Sequence, residues 1–301
     1  MQRRHLLASG LMLGLGSWGL SGCASNTQKW STSSLLQTKD LARLEVSSGG
    51  RLGLHMLDTA TGFEAGWRSQ ERFPMCSTFK TLLAAHVLHE AQNGGPQLQR
   101  LYQFQRTDLV PWSPVTEKHA GADAGMTLQQ LCEAAVVVSD NTAANLLLKA
   151  SGGPAGLTAW LRELGDGQTR LDRHEPELNT AIAGDERDST TPAAMLSTLH
   201  KLLLGSVLSD SGRVLLQQWL LESRTGDKRL RAGMPADWKV GGKTGSGENG
   251  TANDTLIVWP AAQAAPLLVT AYLTGSHLPA EGRDAVLAQA GDVVRRWYQE
   301  L

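Results

Sequence analysis

Trp238-Lys239-Val240-Gly241-Gly242-Lys243-Thr244, Thr255-Leu256-Ile257-Val258-Trp259 and Leu267-Leu268-Val269-Thr270-Ala271-Tyr272-Leu273 read as three strands in close succession. They follow a long helical stretch, and a helix expected from Pro279 to Tyr298 closes the chain. The other end is built alike. Leu35–Val46 has helical apolar spacing, Arg51–Asp58 alternates as a strand, Thr61-Gly62 reads as a turn and a second strand is expected around Ala65–Arg68. Between the ends the pattern is helical. Ser77–Gln92 has a Ser cap and stops at Asn93-Gly94-Gly95, and Thr127–Val138 opens on a Thr cap. Asp140 starts a helix ending at Ser151-Gly152-Gly153, and Pro192–Leu204 and Ser211–Leu221 complete the set. Strands at both ends around a helical middle predict an α/β (α+β) fold. Residues 35–75 and 222–301 form the α/β domain, and residues 76–221 are an inserted all-helical domain.

Composition excludes several function classes. With 28 Lys+Arg, 29 Asp+Glu and a net charge of −1, the chain has no basic footprint for nucleic acid. Three cysteines and no C-x-x-C pair leave neither a disulfide scaffold nor a structural zinc site. A hydrophobic content of 41% suits a packed core rather than a disordered chain. At the N-terminus, Arg3 and Arg4 precede a Leu/Gly-rich stretch, Leu6–Leu20, too short for a membrane span of ~20 residues but right for a signal peptide. Leu20-Ser21-Gly22-Cys23 reads as a lipobox, so residues 1–22 are expected to be removed and Cys23 lipidated. A simple signal peptide with an incidental Cys is the alternative. The Arg-Arg pair leaves a twin-arginine route open. Residues 23–34 read as a Ser/Thr/Asn-rich tether, and the mature protein is expected on the periplasmic side of a bacterial membrane.

Two G-x-G-x-x-G matches, Gly245–Gly250 and Gly14–Gly19, lack the strand-then-helix context of a dinucleotide site. His86 and His89 share a helix but have no third-ligand motif, so no metal is expected there. A different constellation carries chemistry. Ser77-Thr78-Phe79-Lys80 is S-x-x-K at a helix start, where one turn sets an amine beside a hydroxyl. One such match is expected by chance in a chain of about this length. Ser139-Asp140-Asn141 lies on a turn between helices, and Lys243-Thr244-Gly245 ends a strand with a cation and a hydroxyl suited to a carboxylate. Each of these tripeptides has a chance expectation of only about 0.05 per chain. All three in this order are a strong signal.

The set resembles the class A active-site serine β-lactamases, of the broad-spectrum branch, in which S-x-x-K, S-D-N and K-T-G recur. Arg173-His174-Glu175-Pro176-Glu177-Leu178-Asn179 is similar to that family's R-x-E-x-E-L-N loop, and Trp112–Lys118 and Asp140–Leu148 also look like it. The likeness runs from roughly residue 31 to the C-terminus. It implies an antiparallel sheet flanked by helices, in the fold shared with D-Ala-D-Ala peptidases. By the same resemblance Ser77 attacks the lactam carbonyl, and the N–H groups of Ser77 and Ser246 form the oxyanion hole. Glu175, with a water that Asn179 helps hold, deacylates the enzyme; whether Lys80 or Glu175 is the acylation base stays open. Ser139 relays a proton to the leaving nitrogen, Asn141 holds the substrate's side-chain amide, Trp112 lines the site, and Lys243 with Thr244 binds the substrate carboxylate. Arg173 and Asp188 resemble the ion pair closing the Glu175 loop. No cofactor and no metal is implied; the partner is a small-molecule β-lactam substrate, and the protein is expected to act as a monomer.

The departures are informative. Gly250–Asp254 holds no arginine where many members supply one, and Arg229 resembles the substitute of a branch that includes carbapenem hydrolysers. Positions that pair with Cys76 and Cys132 in some relatives are Gly247 and Ala84, so two free thiols are expected. A D-Ala-D-Ala carboxypeptidase or a non-catalytic β-lactam-binding lipoprotein are the rival readings. The first lacks a deacylating glutamate loop, and the second has no need of every catalytic side chain.

Overall fold

The computed structural model describes residues 32–121, 124–261 and 264–300. The expected signal peptide, Cys23 and most of the tether lie outside them. The elements in order are α1 (Thr32–Ser48), β1 (Arg51–Asp58), β2 (Glu64–Trp67), β3 (Phe73–Pro74), α2 (Phe79–Gln92), β4 (Leu101–Tyr102) and β5 (Met126–Thr127). There follow α3 (Leu128–Val137), α4 (Asn141–Ala150), α5 (Gly153–Glu163), β6 (Ser189–Thr190), α6 (Pro192–Leu203) and α7 (Asp210–Leu221). The chain closes with β7 (Lys239–Gly247), β8 (Thr251–Trp259), β9 (Leu267–Thr274) and α8 (Ala280–Gln299).

The main sheet is antiparallel in the order β2-β1-β9-β8-β7, so strands from both ends of the chain meet at the β1–β9 pairing, with Leu54 opposite Ala271. An antiparallel sheet flanked by helices, as the resemblance implies, is the result. One face packs Leu52, Leu54, Leu256 and Val269 against Leu41 of α1 and Leu287, Val294 and Trp297 of α8. The other face, through Ile257, Leu268 and Tyr272, joins the core of the helices between α2 and α7. At the centre is α2, whose residues from Phe79 to Leu88 are all buried, as suits a helix surrounded by others. Each fully buried Leu or Phe there contributes about 1.5–3 kcal/mol relative to exposure.

Thr127 caps α3 in a reciprocal box with Gln130, and Asp140 caps α4 by accepting from Ala143 N–H at 2.9 Å. Two expectations need correction and one needs extending. Ser77 caps no helix: Cys76–Thr78 form a 3₁₀ turn, α2 begins at Phe79, and the serine hydroxyl turns elsewhere. The first helix begins at Thr32, inside the stretch read as tether, because Ser and Thr suit a helix start as well as a linker. Finally, Gly152-Gly153 ends one helix but also opens α5: Gly152, at φ 80°, is its N-cap and Pro154 fits its first turn.

Candidate active site

Cys76 stands immediately before the nucleophile candidate with φ 45°, a left-handed conformation that costs a non-glycine residue about 1–3 kcal/mol. The turn it opens presents the Ser77 hydroxyl, which donates to Glu175 Oε1 at 3.3 Å. Lys80 Nζ approaches the same oxygen at 3.0 Å, with both side chains of that ion pair fully buried. The ammonium also donates to Ser139 O at 2.8 Å, to Ser139 Oγ at 3.3 Å and to Asn141 Oδ1 at 2.6 Å. Burial pulls the Lys80 pKa down from its ordinary value, with the Glu175 charge opposing. A lysine so placed yields its proton more readily than a solvated one.

Glu175 is itself held from three sides. Asn179 Nδ2 donates to its Oε2. Asn145, on α4, clamps its backbone in both directions: Oδ1 accepts from Glu175 N–H at 2.9 Å and Nδ2 donates to Glu175 O at 2.8 Å. The ends of the surrounding segment are pinned by the expected Arg173–Asp188 pair, with Nε to Oδ2 at 2.6 Å. Asp188 Oδ1 accepts in addition from the N–H groups of Asp172 and Arg173. The carboxylate therefore has little freedom to leave Ser77.

Across the cleft, Ser139 sits at φ 62° on the turn that Asp140 stabilises by accepting from Val115 N–H, Thr116 N–H and the Thr116 hydroxyl. Its Oγ accepts from Lys243 Nζ at 3.0 Å, so one hydroxyl lies between two lysines. Burial first, then the neighbouring Lys80, holds the Lys243 pKa well below its usual range. Thr244 donates its hydroxyl to Thr225 Oγ1 at 2.6 Å. Beyond it Ser246 is exposed on the edge strand, and Arg229 Nη2 donates to its Oγ at 2.7 Å. The rest of the Arg229 guanidinium is tied to Asp284 at 2.8 Å and to the carbonyls of Gly245 and Asn253. Trp112 is 65% exposed at φ 65°, held at the rim by Nε1 donating to Val138 O and by its own carbonyl accepting from Asn141 N–H.

Ser77, Lys80, Ser139, Asn141, Glu175, Asn179 and Lys243 thus form one hydrogen-bonded network; Thr244 follows Lys243 on β7, with Ser246 and Arg229 at its far end and Trp112 on the facing loop. Sequence reasoning missed Asn145, Thr225 and Asn253. Cys76 and Cys132 are buried free thiols, as expected, and burial raises both thiol pKa values. A β-carbon on Gly247 would lie 2.7 Å from Cys76 Sγ, so the two strands of chain are already in contact there without a disulfide. His86 packs flat on Trp160 at 4.7 Å.

Residues 37–298 match the model of the beta-lactamase enzyme family. The chain is 47% identical over 262 residues to the beta-lactamase L2 of Stenotrophomonas maltophilia, covering 87% of this chain and 86% of that protein. It is 44% identical over 291 residues to a carbapenem-hydrolyzing beta-lactamase KPC of Klebsiella oxytoca, covering 96% and 95%. Among solved structures, an ancestral class A beta-lactamase of Gram-negative bacteria superposes with a TM-score of 0.84 at 57% identity, over 87% of this chain and 99% of the other.

Proposed function

Since the chain belongs to the class A β-lactamases, a family that opens the β-lactam amide and so confers resistance, we propose that it does so on penicillins and cephalosporins through an acyl-enzyme on Ser77. The observation that carries this assignment is the convergence of Ser77 Oγ and Lys80 Nζ on one oxygen of a buried Glu175. Glu175, which already accepts from Ser77, or Lys80 once it has given up a proton, can take the hydroxyl proton as Oγ bonds to the lactam carbonyl carbon. The N–H groups of Ser77 and Ser246 receive the developing oxyanion. When the carbon–nitrogen bond breaks, the nitrogen takes the Ser139 hydroxyl proton, and one of the two lysines that donate to Ser139 Oγ replaces it. Glu175 then removes a proton from a water held with Asn179. That water attacks the ester, and Ser77 leaves with a proton restored.

Lys243, Thr244 and Arg229 bind the substrate's carboxylate, Asn141 its side-chain amide, and Trp112 covers the mouth. Neither a peptidase nor a non-catalytic binder gives a role to a carboxylate tied at once to Ser77, Lys80 and Asn179. A chromogenic cephalosporin should be turned over continuously by the wild type and not by Ser77→Ala. A single stoichiometric burst from the wild type would reject hydrolysis in favour of a peptidase.

We also propose that the protein is exported to the periplasmic side, anchored by lipid on Cys23 and active as a monomer. Leu20-Ser21-Gly22-Cys23 supports this. Mass spectrometry of the mature N-terminus should find acyl chains on Cys23; an unmodified start a few residues downstream would rule it out.

A further inference from the structure

The two N–H groups assigned to the oxyanion belong to different elements: that of Ser77 to the turn before α2, that of Ser246 to edge strand β7. Their separation decides whether both reach one oxygen, since donors must lie about 2.7–3.1 Å from the place the charge develops. Asn253 lies between these elements. It stands on β8 directly opposite Gly245, with Ala252 opposite Ser246. Its side chain is fully buried. Both hydrogens of its amide are directed at the chain leading into the nucleophile turn, Nδ2 donating to Pro74 O at 2.8 Å and to Met75 O at 3.0 Å. Its own carbonyl accepts from Arg229 Nη1, which also donates to Gly245 O, so the rung carrying Asn253 and Gly245 is braced from the far side.

The contact is close. A β-carbon on Gly245 would fall 2.7 Å from Met75 O, 3.2 Å from Asn253 Nδ2 and 3.2 Å from Cys76 Cβ. The amide orientation is dictated, because the reverse would set its oxygen against two carbonyl oxygens. In the orientation taken, Asn253 Oδ1 is buried without a hydrogen-bond partner. Buried polar atoms left unsatisfied are uncommon, and an asparagine kept in such a place answers to its donors. Hydrophobic neighbours alone would hold the layers together but would not fix the turn against the strand to a fraction of an ångström.

We propose that Asn253 is a positioning residue for the oxyanion hole, tying the turn of Ser77 to the strand of Ser246 at the spacing that lets both N–H groups serve one oxygen. This rests on the assignment of those two donors. The test reads the ester carbonyl stretch of the penicilloyl-enzyme by infrared difference spectroscopy in the slowly deacylating Glu175→Gln protein, before and after denaturation. The native ester should absorb at lower wavenumber than the denatured one, because the donors polarise it. Adding Asn253→Ala should move the native band back towards the denatured value. In the wild-type background the same change should lower kcat by about 10–100-fold with KM within about threefold. Asn253→Ser, which keeps a polar group in the cage, serves if the alanine variant does not fold. A lowered band that Asn253 variants leave unmoved, in folded protein, would overturn the positioning role. A native band no lower than the denatured one would overturn the oxyanion assignment itself, and this proposal with it.

Discussion

Four Arg229 contacts are filled before any substrate arrives: Asp284, the carbonyls of Gly245 and Asn253, and the Ser246 hydroxyl. A guanidinium has five N–H donors, so one remains for a ligand. On the proposed reading, the substrate carboxylate meets Arg229 and a serine that Arg229 orients. Arg229→Ala should lower kcat/KM for cephalosporins by ~10–100-fold, mainly through KM, since a charge-assisted hydrogen bond is worth about 1.5–3 kcal/mol. Arg229→Lys should restore little of it, because an ammonium cannot span the two carbonyls and Ser246 as the planar fork does. Unchanged kinetics in the alanine variant would mean that the carboxylate binds elsewhere. At this scale the sequence reveals residues whose partners are near in the chain or whose motif is rare. Ser77 and Lys80 lie one turn apart, and Lys243-Thr244-Gly245 is contiguous. Asn253 could not be read in the same way. Its partners, Pro74 and Met75, are 179 and 178 positions away and are met through backbone carbonyls, which any residue type would offer.

The segment from Asp172 to Asp188 carries Glu175 but only a short 3₁₀ turn, at Glu177–Asn179, of its own. It keeps its shape through its ends and through α4. The ends close on each other by the Arg173–Asp188 pair, while Asp188 N–H donates to Asp172 Oδ2. The middle hangs on Asn145 alone for both backbone groups of Glu175. Asn145→Ala leaves that N–H and C=O unpaired, at about 1–3 kcal/mol each if no water replaces the amide. It should lower the melting temperature and slow deacylation more than acylation, which stopped-flow acylation and steady-state turnover together will resolve. Equal slowing of both steps would place the Asn145 clamp outside deacylation. The sequence showed this segment only through its likeness to the family's R-x-E-x-E-L-N loop, and not its support: Asn145 reads there as one more polar residue on a helix face. Likewise, glycines 152 and 153 signalled a stop correctly, and only Pro154 hinted that a new helix, α5, starts at once.

At the scale of the molecule, the site lies on the seam between the sheet and the helices, and charged groups caught in that architecture make stability depend on pH. His86 is buried flat on Trp160 with Nδ1 unpartnered, and burial, aided by His89, lowers its pKa to about 4 from the ordinary 6.5. The unfolded chain therefore binds more protons between those values, and stability falls as pH drops through that window, by about 1–3 kcal/mol in total. Asp254 acts in the opposite sense. Burial raises its pKa to about 7 from 3.8, against the pull of Arg229, so the folded state binds more protons and stability falls as pH rises across that range. The two windows overlap and their slopes oppose, so wild-type stability should change little between pH 4 and 6.5. Across that range melting temperature should fall with rising pH in His86→Gln and climb with rising pH in Asp254→Asn, and parallel wild-type and variant curves would contradict both assignments. The fold's two halves meet at the site: the sheet carries Lys243 and Thr244, proposed to grip the substrate carboxylate, the helical half carries Ser77 and Lys80, and Glu175 completes the reaction they begin. Acylation does not consume a water and deacylation does, so replacing this carboxylate by its amide should separate the two half-reactions. Glu175→Gln, mixed with benzylpenicillin and weighed intact, should show a persistent adduct of one whole penicillin on Ser77, deacylating ~10²–10⁴-fold more slowly than wild type, with none on Ser77→Ala. Turnover of benzylpenicillin by Glu175→Gln at the wild-type rate, with no adduct accumulating, would contradict the assignment of Glu175 as the base that frees the enzyme.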